Sequence, residues 1–344
     1  MYVVECTTNP GLEDLVGAEL RGLGLDAAAT LRPDGLAGHV HLVSDDPLLW
    51  DHARRLRSVH RVVRPIAEVD LPPTGALEHL RAAVAEAARG IPELADDGAV
   101  FRVRCKRLGE HPFTSEDVER VGGAGVRDVW LRPVRLTGAA VVVRCDVVGP
   151  RLRVGVEAPP RAVVELPFRP STSLRESVAW ALLELAFPAA PPRRLLDPFV
   201  GGGTILTEAA ARWPEVALCG SDLHHRCADG VRQNLAAWAD RSTTRVGDAR
   251  ELLRTWPDHR FDAIVTNPPW GHRLGRDLDI EALYRVFLRS ATEVATDDCR
   301  LVVLALRRGA FNRALGAARG WETRHVRIVE LGGLYAGAFV LGRR

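Results

Sequence analysis

The stretch that decides the fold is Leu195–Glu208, which reads LLDPFVGGGTILTE. Its two leucines end a short apolar run, an Asp-Pro pair stops that run, and three consecutive glycines follow two residues later. Thr204 then opens a stretch with apolar residues at helical spacing. This order predicts a strand, a glycine turn and the start of a helix. Glycines let the backbone approach a ligand closely, and free N–H groups at a helix start can face an anion.

A glycine turn taken alone leaves several interpretations open. A Walker A phosphate loop would end in Gly-Lys-Ser or Gly-Lys-Thr, and this stretch contains no lysine. The Asp-Pro pair directly after the strand does not fit the spacing of a dinucleotide fingerprint. A purely structural turn remains the alternative to a ligand-binding loop.

A second informative stretch, Phe261–Gly275, reads FDAIVTNPPWGHRLG. The apolar run Ala263–Val265 predicts a strand that ends at the sequence NPPW, residues 267–270. Two prolines prevent the strand from continuing and hold the backbone of Asn267 extended. The tryptophan that follows is therefore presented rigidly.

Together the two stretches resemble the class I S-adenosylmethionine-dependent methyltransferases that act on exocyclic amino nitrogens. DPFVGGGT is similar to their cofactor loop, and NPPW is similar to their amino-group motif. The resemblance implies S-adenosylmethionine as the cofactor, with its methionine end held by an acid and by the glycine backbone. The residues of this loop that match the cofactor-binding motif are Asp197, Phe199, Gly201, Gly203 and Thr204.

Two acids that follow later strands extend the implied cofactor site. Asp222, in Gly-Ser-Asp after the second strand, matches the carboxylate that accepts both ribose hydroxyl protons. Asp248, followed by Ala249 after the third strand, matches the acid that meets the adenine amino group. Each acid also fits a helix N-cap, which is the structural alternative.

A segment before the first of these strands completes the implied cofactor side. The sequence FRPSTS at residues 168–173 leads into a helix predicted over Leu174–Phe187. Arg-Pro-Ser/Thr before such a helix resembles the first cofactor-side element of the amino methyltransferases, which places Ser171 and Thr172 near the cofactor. Either residue also fits as the N-cap of that helix.

The NPPW motif suggests how an unreactive amine is activated. The exocyclic amine of guanine or adenine is a poor nucleophile, because its lone pair is delocalised into the ring. The amine carries two N–H donors. The side-chain oxygen of Asn267 can accept one of them and the carbonyl oxygen of Pro268 can accept the other. Asn267 is also assigned to the cofactor site. Alignment of the reacting groups then supplies much of the rate. Trp270 can stack on a flipped base. At this position the family more often has tyrosine or phenylalanine. The structural alternative for the motif is a rigid turn with a core tryptophan.

Composition limits the classes of function. The 344 residues are 47% hydrophobic and 26% charged, with a formal net charge of +2, which predicts a soluble globular protein without a global basic field. The six cysteines show no C-x-x-C spacing, so neither zinc nor an iron–sulfur cluster is predicted, and reduced thiols suit the cytoplasm. No apolar run reaches the roughly 20 residues of a membrane span, and no signal peptide is visible.

The N-terminal half carries the predicted RNA contacts. YVVECTTNPGLEDLVGAELRGLG resembles the N-terminal ferredoxin-like domain of THUMP-containing RNA-modifying enzymes, and FRVRCKRLGEHPFTSEDVERVGG resembles a THUMP core. Within the latter, Phe101–Lys106 alternates apolar and basic residues, which predicts a strand with one basic face; a solvated strand face is the alternative. His111 is interpreted as a structural hydrogen-bonder. The residues assigned to RNA are Arg102, Arg104, Lys106 and Arg107, with Arg273 beyond NPPW.

The domain prediction follows from these segments. It comprises a ferredoxin-like module at 1–68, a THUMP domain at 69–156, a linker at 157–172 and a methyltransferase domain at 173–344. Strand and helix patterns alternate through the last of these, and a short final turn forces an antiparallel end, which predicts an α/β, Rossmann-like mixed sheet. Its seven predicted strands are Leu195–Leu196, Val216–Gly220, Thr243–Val246, Ala263–Val265, Leu301–Leu306, Thr323–Glu330 and Tyr335–Leu341.

The resemblance therefore implies an RNA methyltransferase acting on the exocyclic N2 of a guanosine, in the tRNA acceptor stem at position 6, with the THUMP half docking the acceptor end. A guanosine of large-subunit rRNA is the alternative target. DNA adenine N6 or a protein glutamine would use a similar NPP-aromatic loop, and a catalytically idle tRNA-binding adaptor is a different class of function. The sequence leaves the oligomeric state open.

Overall fold

Residues 1–157, 166–271 and 279–344 are described by the structure, a computed structural model, and they divide into two units. The first unit contains Met1–Thr8 and residues 16–157, and the second contains Asn9–Leu15 with the remaining described residues. Half of the predicted linker, residues 158–165, lies outside the described residues. None of the helices within the described ranges combines the length and apolarity that a bilayer crossing requires.

The first unit is built on one mixed sheet with the strand order β2-β3-β1-β4-β8-β7-β5, in which β6 also pairs with β7. Its strands are β1 (Tyr2–Thr7), β2 (Ala28–Leu31), β3 (His39–Ser44), β4 (Arg61–Asp70), β5 (Phe101–Arg104), β6 (Arg107–Leu108), β7 (Val141–Val148) and β8 (Arg151–Glu157). Its helices are α2 (Leu49–Ala53), α3 (Ala76–Ala88) and α4 (Ser115–Val129). Helix α1 (Glu13–Gly22) begins in the Asn9–Leu15 segment of the second unit.

Strand β4 makes this sheet continuous, because it pairs antiparallel with β1 along one edge and with β8 along the other. The predicted boundary near residue 68 falls inside β4, and the domain limits remain predictions. Sequence patterns did not predict β4 as a strand. Pro65 interrupts it, and the pairing register with β8 shifts between Pro65 and Ala67, so the apolar alternation is broken there.

The predicted basic strand is shorter than expected. Strand β5 ends at Arg104, and the backbone N–H of Lys106 donates to the Asp146 carboxylate at 2.7 Å rather than to a neighbouring strand. The alternation itself is confirmed, since Phe101 and Val103 are buried while Arg104 is exposed. The prediction that Lys106 belongs to this strand was therefore wrong.

The second unit has the strand order β11-β10-β9-β12-β13-β15-β14. Its strands are β9 (Arg194–Asp197), β10 (Ala217–Asp222), β11 (Ser242–Val246), β12 (Phe261–Thr266), β13 (Ala295–Ala305), β14 (Trp321–Glu330) and β15 (Tyr335–Arg343). Its helices are α5 (Glu176–Ala186), α6 (Thr204–Arg212), α7 (His225–Asn234), α8 (Leu252–Thr255), α9 (Ile280–Val294) and α10 (Arg308–Ala317). Strands β9 to β13 pair in parallel, and β15 is antiparallel to both neighbours. The predicted Rossmann-like sheet with a terminal hairpin is confirmed.

The strand order creates a switch point between β9 and β12. The chain moves from β9 outwards to β10 and β11, and then returns to the other side of β9 to form β12. Adjacent residues of β9 face opposite sides of the sheet, so Leu195 joins one buried cluster and Leu196 joins the other. In a doubly wound sheet, ligands bind outside the carboxyl ends of the strands at such a point.

An early segment of the chain completes the second unit. Leu12 and Leu15 are buried in the same apolar cluster as Leu195. The Asn9 amide donates to the Glu330 carbonyl at 2.8 Å, and the Glu330 N–H donates to the Pro10 carbonyl at 2.9 Å. The second unit is therefore assembled from two separate stretches of sequence.

Candidate cofactor and amine site

The two motifs singled out in the sequence meet at the switch point. β9 and β12 pair in parallel through Leu195–Ala263 and Leu196–Ile264, so their carboxyl ends lie side by side. The Thr266 hydroxyl at the end of β12 donates to the Asp197 carboxylate at the end of β9, with an O–O distance of 2.7 Å. Both side chains are buried. The glycine turn and the NPPW turn therefore flank one buried hydrogen bond.

The environment of Asp197 disfavours a charge on its carboxyl group. Burial raises the pKa of Asp197 to about 7, although the hydrogen bonds from the Thr266 hydroxyl and the Phe199 N–H oppose this shift; the negative charge of Asp222 adds to it. The ligand-free carboxyl group is thus poised between its two protonation states at neutral pH. A cation placed beside it would favour the carboxylate.

The glycine turn requires glycine for two reasons. Gly201 and Gly203 have φ angles of 51° and 77°, in the left-handed region. Gly202 needs space instead, since a Cβ there would lie 2.6 Å from the hydroxyl oxygen of Ser173. Gly203 is the N-cap of α6 and, having no side chain, supplies no cap to the first N–H groups of α6. Thr204, the first residue of α6, is buried.

Asp222 bridges two loops at the carboxyl end of β10. One of its oxygens accepts the Gly201 N–H at 3.0 Å, and the other accepts the His224 N–H at 3.0 Å. The N-cap of α7 is His224, so the N-cap alternative for Asp222 was wrong. The carboxylate is half-buried and holds the glycine turn against the end of β10.

Asp248 is held by its neighbour Arg250. The Arg250 guanidinium donates to both carboxylate oxygens at 2.6 to 3.0 Å and lowers the pKa of Asp248. Glu251 is the N-cap of α8, so the N-cap alternative for Asp248 was also wrong. The ion pair is partly exposed and contributes little stability, so a ligand amine can exchange with the arginine. Ala249 is buried beside it.

The remaining predicted cofactor neighbours differ in their surroundings. Ser171 and Thr172 are exposed, and α5 begins two residues later than predicted with Arg175 as its N-cap. The N-cap alternative was therefore wrong for both hydroxyl residues. The Phe199 ring packs edge-on against Phe287 with a centroid distance of 5.3 Å, which fixes the start of the glycine turn.

The NPPW turn presents one unsatisfied acceptor. The Oδ1 atom of Asn267 is buried and has no hydrogen-bond partner among the described residues. A buried acceptor without a partner costs about 1–3 kcal/mol, which is tolerated when a ligand later supplies the donor. Pro268 is buried directly after it.

Trp270 is fixed against the sheet while keeping part of its surface exposed. Its indole N–H donates to the Leu304 carbonyl of β13 at 3.3 Å, and its ring packs partly against the buried cluster around Leu195. Both the stacking role and the structural alternative are compatible with this position, so stacking stays a prediction. Arg273 lies outside the described residues.

The four RNA-binding candidates of the first unit differ in how free their side chains are to contact RNA. Arg104 is exposed, with its guanidinium 4.0 Å from Glu119. Arg102 donates to the Leu136 carbonyl at 3.1 Å, and Arg107 donates to the Ser115 hydroxyl at 3.4 Å, so both also serve the local structure.

Lys106 borders a small cleft that also contains His39 and Asp146. Burial, and then the positive charge of Lys106, lower the pKa of His39 to about 4. The ring of His111 bonds the Gly149 carbonyl at 2.7 Å, which confirms its structural role. Arg104 and Lys106 are thus the two RNA-binding candidates of this unit whose side chains are exposed.

Sequence reasoning overlooked Thr266. A signal was present, because Thr266 is the last residue of an apolar run directly before NPPW, and a hydroxyl at a buried strand end needs a partner. Among the described residues, no group of histidine, cysteine, aspartate and glutamate side chains has the arrangement of a metal site.

Comparison with known proteins agrees with this geometry. The model of the RMKL-like methyltransferase domain (UPF0020) matches residues 166–337. The tRNA (guanine(6)-N2)-methyltransferase of Thermus thermophilus is 39% identical over 350 residues, covering 98% of each chain. The enzyme of the same name from Archaeoglobus fulgidus is 28% identical over 365 residues, covering 95% of this chain and 89% of the relative.

A solved structure extends the similarity to the whole fold. The crystal structure of TrmN from Thermus thermophilus superposes with a TM-score of 0.81 at 35% sequence identity, covering all of both chains. The switch-point site, the family match and the full-length relatives point the same way. The chain therefore belongs to the THUMP-containing family of RMKL-like methyltransferases that includes these tRNA (guanine(6)-N2)-methyltransferases.

Proposed function

We propose that this protein transfers a methyl group from S-adenosylmethionine to the exocyclic N2 of a guanosine at position 6 of the tRNA acceptor stem. The name and full-length similarity of the Thermus relative support the substrate. The observation that carries the chemistry is the buried Oδ1 atom of Asn267, which has no hydrogen-bond partner among the described residues. The six free cysteines support a reducing compartment such as the cytoplasm.

The residues at the switch point fit the cofactor. Asp197 and the glycine turn would hold its methionine end, because a buried carboxyl group near neutral pKa gains from an adjacent ammonium group. Asp222 would accept the ribose hydroxyls, and Asp248 would accept the adenine amino group after exchange with Arg250. When bound, S-adenosylmethionine supplies an electrophilic methyl group on a sulfonium.

The NPPW turn would orient the acceptor amine. Asn267 Oδ1 and the Pro268 carbonyl would each accept one N–H of the guanine N2 amine, which directs the nitrogen lone pair away from the turn. Trp270 would stack on the extruded base, which offsets part of the few kcal/mol that base flipping costs. The protein's contribution is to hold the amine in position, because alignment lowers the barrier to transfer.

Labelled methyl transfer tests this proposal. The protein is incubated with radiolabelled S-adenosylmethionine and, separately, an unmodified tRNA transcript with guanosine at position 6, the same transcript with adenosine there, large-subunit rRNA, DNA and protein. We expect label only in the first transcript, released on digestion as N2-methylguanosine. Label in rRNA alone would favour the alternative target. Cofactor binding without transfer to any of these would favour the idle adaptor.

Removal of the Arg104 charge is expected to weaken tRNA binding without affecting the cofactor. The Arg104→Gln variant should lower the slope of log Kd against log salt concentration by about 0.7–0.9, the value for one lost phosphate contact. Fluorescence anisotropy of labelled tRNA at several salt concentrations measures the slope. Arg127→Gln, which removes an exposed arginine from α4, is the matched control. If the Arg104→Gln and Arg127→Gln variants show the same salt slope, Arg104 is not part of the RNA-binding surface.

A further inference from the structure

An open groove of about 550 Å³ lies beside the carboxyl end of β13, within the second unit. Its lining includes Leu306, Arg308, Asn312, Val326, Ile328 and Phe339, and we refer to it as the Arg308 groove. We propose that the Arg308 groove binds the RNA strand next to the target nucleotide, with Arg307 and Arg308 on its phosphates. This inference rests on the proposed function, which it extends from the methylated base to the adjoining backbone.

The groove adjoins the NPPW turn. The Leu304 carbonyl, two residues before the groove residue Leu306, accepts the indole N–H of Trp270 at 3.3 Å. Arg307 lies near the end of the same turn, because its Nη2 atom is 3.6 Å from the position that a Cβ on Gly271 would take. An RNA strand whose base enters the site at Asn267 would therefore pass close to these two arginines.

The charge at the groove is unbalanced. Arg307 and Arg308 are both exposed, and within the described ranges neither forms an ion pair with a carboxylate. Arg313, one and a half turns further along α10, does pair with Glu281 at 2.8 Å. None of the described residues that line the groove is acidic. Two arginines without a carboxylate partner, beside an open groove, complement a polyanion, and the guanidinium fork fits phosphate oxygens.

The packing around Arg308 directs its side chain. A Cβ on Gly337 of β15 would lie 3.3 Å from the Cδ atom of Arg308 and 2.6 Å from the Phe339 ring, so the absence of a side chain at Gly337 leaves room for both. Val326 and Ile328 of β14, which pair in register with Phe339 and Gly337, are each 39% exposed. Apolar walls beside a guanidinium suit a nucleotide, whose sugar and base faces are less polar than its phosphate.

The Arg308→Gln variant tests the groove. We expect the KM for the tRNA transcript to rise about tenfold with kcat nearly unchanged, and the salt slope of tRNA binding to fall by about 0.7–0.9. The affinity for S-adenosylmethionine, measured by calorimetry, should match that of the wild type. Arg319→Gln is the matched control, because Arg319 is also exposed and lies beyond the other end of α10. The double variant Arg307→Gln with Arg308→Gln should double the loss of slope.

The outcomes separate this inference from the proposed function. If the wild type methylates tRNA and Arg308→Gln keeps the wild-type KM and salt slope, the inference is overturned while the function stands. If the wild type binds tRNA with an Arg308-dependent slope but labels nothing, the proposed function fails and the groove is retained. Loss of activity in Arg308→Gln with unchanged tRNA binding would assign the groove to another ligand, such as a peptide, and would also overturn the inference.

Discussion

Replacement of Asn267 with alanine is expected to lower kcat for tRNA methylation by about 10²–10³-fold, the typical effect of losing one preorganised hydrogen bond at a reacting centre. The reason is the Oδ1 atom, which is buried without a partner among the described residues and is therefore preorganised to accept an N–H of the substrate. Alanine removes the acceptor and leaves the backbone of the turn in place. Single-turnover transfer of labelled methyl groups to the tRNA transcript measures the change.

Two comparisons make this result specific. Asn267→Asp keeps an acceptor oxygen at the same reach, so it should retain more activity than the alanine variant. Because Asn267 was also assigned to the cofactor site, calorimetry with S-adenosylhomocysteine measures separately whether Asn267→Ala weakens cofactor binding. Wild-type kcat in the alanine variant would mean that the amine is oriented by other groups, and the proposed role of the NPPW turn would be withdrawn.

Replacement of Asp197 with asparagine is expected to stabilise the ligand-free protein while it weakens cofactor binding. The pKa of Asp197 is raised from its ordinary value of 3.8 to about 7, chiefly by burial, so an ionised carboxylate at pH 8 costs up to about 4 kcal/mol of folding free energy. Asparagine removes that charge and keeps an oxygen for the Thr266 hydroxyl. Chemical denaturation at pH 8 should therefore show a higher free energy of unfolding.

The pH dependence has opposite signs for stability and for binding. The folded protein binds the Asp197 proton more tightly than the unfolded chain, so this contribution to stability is complete below about pH 4 and is lost as the pH rises through about 7. Binding of a cationic methionine end requires the carboxylate, so the Kd for the cofactor should fall as the pH rises through 7 and then level off. Below that midpoint the change approaches about tenfold per pH unit for one linked proton.

The asparagine variant should lose both dependences. Asp240→Asn, which neutralises an exposed acid of the same unit, serves as the control and should resemble the wild type. Calorimetric titrations with the cofactor between pH 6 and 8.5 would measure the pH dependence of the Kd for each variant. A cofactor affinity that varies with pH equally in Asp197→Asn and the wild type would assign the titration to another group and remove Asp197 from the methionine end.

The sequence predicted the second unit well for physical reasons. The inner parallel strands of this sheet read as apolar runs, and their loops carry the glycines and prolines that end them. The edge strands β11 and β14 and the antiparallel β15 were also predicted, so all seven strands of this sheet were found. The same motifs located Asp197 and Asn267 at neighbouring strand ends. What local patterns could not supply was pairing across the chain. The Asp197–Thr266 hydrogen bond joins residues 69 positions apart, and neither residue alone indicates its partner.

The first unit was harder because its sheet depends on tertiary pairing. Strand β4 carries alternating charges and a proline, and it becomes a strand because β1 and β8 supply partners on both edges. Conversely, the basic strand does not continue to Lys106, because the Lys106 N–H donates to the Asp146 carboxylate instead of to a neighbouring strand. Alternation predicts which face a residue occupies, whereas hydrogen-bond partners decide where a strand ends.

The Asn9–Leu15 segment has a consequence for biosynthesis. These residues leave the ribosome among the first, yet Asn9 bonds to Glu330, which is 321 positions later in the chain. The methyltransferase half therefore cannot close its apolar interior until translation is almost finished, and the two leucines at positions 12 and 15 must wait exposed or transiently covered. A nascent chain stalled before residue 330 should be sensitive to protease at this early segment, and the released full-length chain should be protected there.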